Sequence, residues 1–493
     1  MSLPAPPHAV PGDRPPPPGQ PRAPRWWMRR LVPLLLLGVV GGVAHAAAAG
    51  VAVHQAALSI RHAGSAGGSA SAGEARTAEV TGVLDRMNTA LAKRDLAGYL
   101  AAMGPDAALR TRQTATFRAL GRLPFAQVRY GWNGSQWSRP AGLAAKYGDT
   151  EAVVAVVQRR YHLKGWDSLP TSELVALTFA RRDGRWTVVG DSDGSAALPK
   201  GSVPEPWTLG DVSVVTTPHV LLVGDRTASA QKDLKELVRR VEDAVGGVRT
   251  MWSSPTWNGK VVVYAVTDPR FVAPWFGEQA ADGQRNGAGD AAEFDAEVVP
   301  MEAAALDGGP APRDLAGMRM VIAPTVLDYS AAQARAVIRH ELTHLATLKL
   351  GEEAPAWLTE GIAEYTAYRV MCASGKADGV GALDRRGLPK PMWNALRKAS
   401  YRPQLVPEHD AFYGGNGGDV SRRYTDGWLA ALYIADTYGE GKLRAFVQKA
   451  SSATYGSVEA REAAALRDVL RTDRQAFVDD VGDYARDLRR HFV

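Results

Sequence analysis

Apolar positions recur along this chain with three different periods, and each period predicts a different element. From Leu31 to Val53 the run "LVPLLLLGVVGGVAHAAAAGVAV" is almost unbroken. It is about as long as a bilayer is thick at 1.5 Å per helical residue. Val80, Leu84, Met87 and Leu91 follow helical spacing, and "LAKRDLAGYLAAM" continues into a second short helix. From Glu151 the period shortens. "EAVVAVVQRRYHL" reads as one strand, and "SELVALTFARRDGRWTVVGDSD", from Ser172, as two strands joined around Asp183-Gly184. A helix pair followed by a strand-rich half predicts an α+β domain over residues 77–200.

A second region, 204–493, begins with strands at His219–Gly224 and Lys260–Val266 around the amphipathic helix "SAQKDLKELVRRVEDAVGGVRTMW". Met318–Pro324 is a further strand, placed as an edge along a cleft. Residues 277–315, rich in Gly, Ala, Asp and Glu, read as a loop over the face of the domain. A helix follows over about Ala331–Leu350, with Ser330 as N-cap and Gly351 at its end. Pro355 suits the first turn of the next helix. A later helix, from Ser421, buries Trp428, Leu432 and Ala435. The whole is mixed α/β with a mostly helical C-terminal part, and 493 residues are too many for one core.

Composition changes the picture mainly at the N-terminus. Residues 1–30 are proline-rich and predicted disordered and cytoplasmic. They hold five arginines against Asp13, so little of the formal net charge of +6 belongs to the folded part. No strong basic field is present there, and nucleic acid is not an implied partner. Arginines before an apolar run stay inside, so residues 31–53 are read as a transmembrane anchor with the rest of the chain extracytoplasmic. The alternative is a cleaved signal peptide, with "VAHAA" offering small residues, and a secreted product. Residues 54–76 read as a flexible Gly/Ser/Ala linker. The one cysteine, Cys372, excludes an intramolecular disulfide.

The candidate chemistry lies in "IRHELTHLA". Four residues make about one helical turn, so His340 and His344 project from one face and can reach one ion. Glu341 is displaced about 100° from His340, beside that ion, where a general base for water belongs. The bland alternative is a charged face of Arg339, Glu341 and Lys349, with the histidines satisfied by hydrogen bonds. A catalytic zinc site needs three protein ligands and one open position. Glu360 and Glu364 lie one turn apart in "EAPAWLTEGIAEYTAYR", and either carboxylate can face the imidazoles if the two helices pack.

"HELTH" followed by "WLTEGIAEY" resembles the gluzincin metallopeptidases, in particular the peptidase MA-like group. The resemblance is specific over about 335–370 and fainter over 210–450. It implies a zincin-like fold, a Zn2+ ion on His340, His344 and Glu360, and Glu364 behind a ligand histidine. It also implies an oxyanion donor some sixty residues past the third ligand. Tyr424 stands at that spacing, with Tyr413 and His409 in the preceding loop as rivals. "DGRWTVVGD" more weakly resembles NTF2-like domains, whose curved sheet often encloses a pocket. The implied activity is hydrolysis of a peptide or protein substrate by a membrane-anchored zinc metallopeptidase, with Glu341 as base. "VPMEA" (Val299–Ala303) lacks the glycine and asparagine of the aminopeptidase motif, which favours endopeptidase action. The reading from another class is a tethered binding protein that keeps an inert zinc site.

Overall fold

The computed structural model describes residues 69–134, 137–148, 151–194, 197–199, 202–226, 228–252, 257–276, 295–304, 315–348, 354–374, 390–397, 401–414, 417–452 and 456–492. The predicted anchor at 31–53 and the proline-rich segment before it lie outside them. Among the described residues no helix is long and apolar enough to cross a membrane.

The first region opens with α1 (Ser69–Lys93), α2 (Leu96–Ala101) and α3 (Ala107–Arg122), followed by β1 (Phe125–Trp132) and α4 (Leu143–Tyr147). Strands β2 (Glu151–Leu163), β3 (Thr171–Arg182) and β4 (Arg185–Gly190) complete an antiparallel sheet of order β1-β2-β3-β4. Two expectations are corrected here. Residues 69–76 of the predicted linker are helical, and the helix they extend is fastened at Arg76, whose Nε donates to Glu151 Oε1 at 2.8 Å. Three helices stand where a pair was predicted. The extra one, α3, is capped by Asp106 at 2.6 Å from the Leu109 amide, and its buried face includes Gln113 and Thr116, which hide it from an apolar-period reading. The predicted turn is present: Asp183 and Gly184 have φ of 50° and 72°, the left-handed pair of a two-residue hairpin.

Val80, Leu84 and Met87 of α1 pack on Val153, Ala155 and Val157 of β2 and on Leu177 and Phe179 of β3. A hydrogen-bonded chain also occupies this interior. Tyr99 Oη donates to Gln113 at 2.9 Å, and Arg159 donates to Glu173 at 2.7 Å and to Tyr130 Oη at 2.8 Å.

A short helix, α5 (Pro206–Leu209), leads to β5 (Val212–Thr216), β6 (Val220–Asp225), α6 (Ala228–Met251), β7 (Val261–Ala265), α7 (Pro269–Phe276), β8 (Ala296–Glu302) and β9 (Leu315–Ile322). The second sheet has order β5-β6-β7-β9-β8, parallel in its middle and antiparallel at both edges. The segment predicted as a loop thus contributes β8, and β8 rather than Met318–Pro324 forms the edge. Its alternation was masked by Pro300 and by flanking acidic residues, and its strand character comes from pairing with β9.

The rest is helical: α8 (Ala331–Thr347), α9 (Ala356–Ser374), α10 (Lys390–Leu396), α11 (His409–Tyr413), α12 (Gly417–Tyr438), α13 (Glu440–Ala450), α14 (Val458–Ala465) and α15 (Arg474–Phe492). One face of the second sheet, with Leu222, Val263, Met320 and Ile322, packs on α6 and α8. Its other face, with Leu221, Val223, Val262 and Val321, packs on α3 and β2 of the first region. The first region is therefore seated on the back of the second sheet.

That seam is polar as well as apolar. Trp207 of α5 is fully buried, donates to Glu173 Oε1 at 2.9 Å, and meets Phe125, Tyr161 and Tyr264 edge-on. Arg319 of β9 donates to both oxygens of Asp167, at 2.7 and 3.1 Å, with both side chains out of solvent. The Ser168 amide donates to Ala316 O, and the Ala304 amide to Pro170 O, each at 2.7 Å. The β2–β3 loop thus holds the open end of the β8–β9 pair.

Candidate metal centre

Helix α8 begins at a capping box: the Ser330 hydroxyl accepts from the Gln333 amide, and the Gln333 side chain reaches back to the Ser330 amide. Ile338, Leu342 and Leu345 bury one face of it. His340 and His344 each lie about 200° around the axis from Leu342 and turn away from that face. Helix α9 supplies the facing carboxylates. It is fixed at its start by Trp357, buried and donating to Glu462 Oε1 at 2.6 Å. It is fixed in its middle by Gly361, which lies against the backbone of Gly427 on α12.

Three atoms converge. His340 Nε2 is 3.0 Å from His344 Nε2 and 3.2 Å from Glu360 Oε2, and His344 Nε2 is 3.4 Å from the same oxygen. The edge of a tetrahedron around zinc with ligand distances of about 2.0–2.2 Å is about 3.3–3.6 Å. The chemistry of the donor set fits a cation equally well. His340 Nδ1 faces Glu364 Oε1 at 3.1 Å, so a proton on Nδ1 leaves Nε2 a bare lone pair. Glu360 Oε1 accepts from Tyr413 Oη at 2.5 Å, which aims Oε2 at the imidazoles. Electron-rich atoms this close require a proton or a metal ion between them, and His340, His344 and Glu360 form a group able to hold one.

The electrostatics point the same way. Burial disfavours an imidazolium at His340, yet hydrogen bonds to Glu360 and Glu364 hold its pKa well above the ordinary value. Burial works against the Glu360 carboxylate, but the His344 charge and bonds from both imidazoles hold its pKa well below the usual range. Burial raises Glu341, opposed by the two histidines. Glu297, on β8, is pushed up to about 8 by burial and by the Glu341 charge.

Glu364 therefore backs a histidine and stays out of the converging set, while Glu360 enters it. Among the tyrosines, the structure puts the hydroxyl of Tyr413 on Glu360 and the ring of Tyr424 6.0 Å from the His340 ring. The His409 ring lies 4.7 Å from that of Tyr413, tilted by 51°, and both of its nitrogens are buried without a hydrogen bond among the described residues, Nδ1 standing 3.6 Å from Asp410 Oδ1. Of the bland alternative, the histidines do have carboxylate partners in Glu360 and Glu364, but Arg339 is buried and not part of a charged face; Lys349 lies outside the described residues. Sequence reasoning missed Gly427 and Glu462. The glycine inside the helical run "TDGWLAALY" was the available signal for a close helix crossing.

No family model matches the chain, and no curated protein matches it at a significant level.

Proposed function

We propose that this protein is a zinc-dependent peptidase of gluzincin type, with His340, His344 and Glu360 as metal ligands and Glu341 as general base. The observation that carries the reading is the convergence of His340 Nε2, His344 Nε2 and Glu360 Oε2 with Glu341 on the same helical turn. When bound, zinc supplies Lewis acidity, lowering the pKa of water and polarising a carbonyl.

The chain's own groups do the remainder. Glu341, with its pKa raised by burial, takes the proton of the attacking water and passes it to the leaving amine. Glu364 holds the His340 ring by its Nδ1 and keeps Nε2 in the acceptor form. Tyr413 fixes the orientation of Glu360. Tyr424, against the His340 ring, and His409, whose Nε2 is buried without a hydrogen-bond partner among the described residues, are the candidate hydrogen-bond donors for the oxyanion. Among the described residues β8 is an edge of the second sheet and offers its backbone to an extended peptide, except at Pro300, which has no N–H to donate. Val299–Ala303 lies on and just beyond this strand, and an internal rather than terminal site of cleavage follows from its departure from the aminopeptidase motif. The apolar run at 31–53 tethers the enzyme to the membrane, with its folded part outside the cytoplasm.

The test is metal analysis together with cleavage of casein and a peptide library by the wild type and Glu341→Gln. Zinc in both proteins, with cleavage by the wild type alone, is the expected result. Zinc in both with cleavage by neither would make this a tethered binding protein, and no metal in either would remove the centre itself.

A further inference from the structure

The strongest unexplained feature outside the metal centre is Arg339, one residue before His340 but on another face of α8. Its side chain is buried, with 8% of the residue exposed, and its Nε has no hydrogen-bond partner. Buried polar groups are almost always paired, and a buried unpaired cation is costly. The guanidinium lies in a notch of α6. A methyl group at Gly247 would stand 3.3 Å from Nη2, 3.4 Å from Nε and 3.5 Å from Cζ. Glycine is unfavourable inside a helix relative to alanine, and here it makes room for the guanidinium.

The surroundings add positive charge. Arg335 precedes Arg339 by one turn, and Arg369 approaches from α9. Both charges act against that of Arg339, and the Asp243 charge acts in its favour. Asp243 is itself engaged on the solvent side, 3.3 Å from Arg239, and Arg369 is held by Glu440 at 3.0 Å. The chain therefore brings a guanidinium to the junction of α6, α8 and α9 with its buried Nε left without a hydrogen-bond partner among the described residues.

We propose that this junction is a binding site for a small oxyanion, phosphate or carboxylate, with Arg339 as its central ligand. A planar fork of N–H donors matches such an anion, and a low-dielectric notch strengthens the bond. The bound anion would brace the helix that carries His340 and His344 from behind. The proposal does not rest on the peptidase reading.

Thermal unfolding of the full chain, at constant ionic strength, tests it with inorganic phosphate, succinate and chloride. Phosphate or succinate should raise the unfolding midpoint saturably while chloride does not, and whichever anion acts identifies the class. The shift should persist in the presence of a chelator, which separates it from anion captured at the metal centre. Arg339→Met should abolish it. That variant should still fold, with a midpoint in anion-free buffer at or above that of the wild type, because an apolar side chain replaces an unpaired buried cation. Calorimetric titration of Asp243→Asn gives a second reading: loss of a nearby negative charge should tighten phosphate binding at least about two-fold. No anion-specific shift in the wild type, an undiminished shift in Arg339→Met, or unchanged affinity in Asp243→Asn would overturn the proposal.

Discussion

Gly361 and Gly427 meet backbone to backbone. A methyl group at Gly361 would stand 2.3 Å from the carbonyl oxygen of Gly427, and one at Gly427 would stand 2.4 Å from the carbonyl oxygen of Trp357. No side chain can be accommodated there, so α9 and α12 cross as closely as two helices can. The residue before Gly361 is Glu360. The crossing thus sets the depth at which that carboxylate reaches the histidines of α8, and it brings Tyr424 of α12 to the same place.

Gly361→Ala should therefore act on stability and on the site together. Overpacking a tight crossing typically costs about 1–3 kcal/mol, and a backbone clash lies at the upper end. The urea midpoint should fall, and bound metal should fall further than the loss of folded protein explains. A variant that keeps both at wild-type levels would show that Glu360 is not placed by this contact.

Tyr413→Phe removes one hydroxyl and little volume. The lost bond is a short one to a carboxylate, from Tyr413 Oη to Glu360 Oε1. Bonds that orient a metal ligand are worth about 10–100-fold in affinity. The expected outcome is a fold intact by circular dichroism and a metal affinity weaker by about ten-fold in competition with a chromogenic chelator. Unchanged affinity would mean that the α8 histidines alone determine binding.

The seam between the two sheets makes a different prediction. Asp167 and Arg319 are both out of solvent, and each is the other's principal partner. Removing one partner of a buried pair leaves an uncompensated charge and costs about 3–5 kcal/mol, whereas replacing both by apolar residues is often near neutral. Asp167→Ala should lower stability by that amount, and Asp167→Leu with Arg319→Met should recover most of it. Probes in the first and second regions should report one transition in the wild type. Two well-separated transitions would show that the seam does not couple the regions.

What the sequence discloses and what it conceals follow the range of the forces involved. The strand Glu151–Leu163 and the cap at Ser330 are written locally, in a short β-branched apolar run and in a side chain that satisfies its own helix, and both could be read without the fold. The pairing of His340 with His344 is likewise one helical turn. Strand β8 is different: its residues are extended because β9 pairs with them, and no period among seven residues containing Pro300 announces it. Helix α3 hides a buried face that includes Gln113 and Thr116, and the polarity of Gln113 is balanced by Tyr99 and by Asp191, the latter far away in sequence. Trp207 has no periodic signal to single it out and is the centre of the seam, because aromatic partners from both regions surround it. From the sequence, Glu360 is preferred to Glu364 on the resemblance alone, since which of the two enters the converging set depends on how α9 packs against α8.

The seam also titrates. Glu205 is fully enclosed: the Tyr161 hydroxyl donates to its Oε1, and its amide donates to Glu173 Oε2 at 3.3 Å. Burial, with the Glu173 charge adding, pushes its carboxyl from 4.5 up to about 7. Between these values the folded protein holds a proton that the unfolded chain has released. Stability must then fall as pH rises. The contribution is complete below pH 4.5 and is lost as pH passes about 7. Asp426, raised to about 6 by burial, acts with the same sign, so the quantity to follow is the difference between wild type and Glu205→Gln. The unfolding midpoint of the variant should depend less steeply on pH across this window, and its advantage over the wild type should grow towards the alkaline end. A difference curve that stays flat from pH 4.5 to about 7 would place the buried proton elsewhere in the seam.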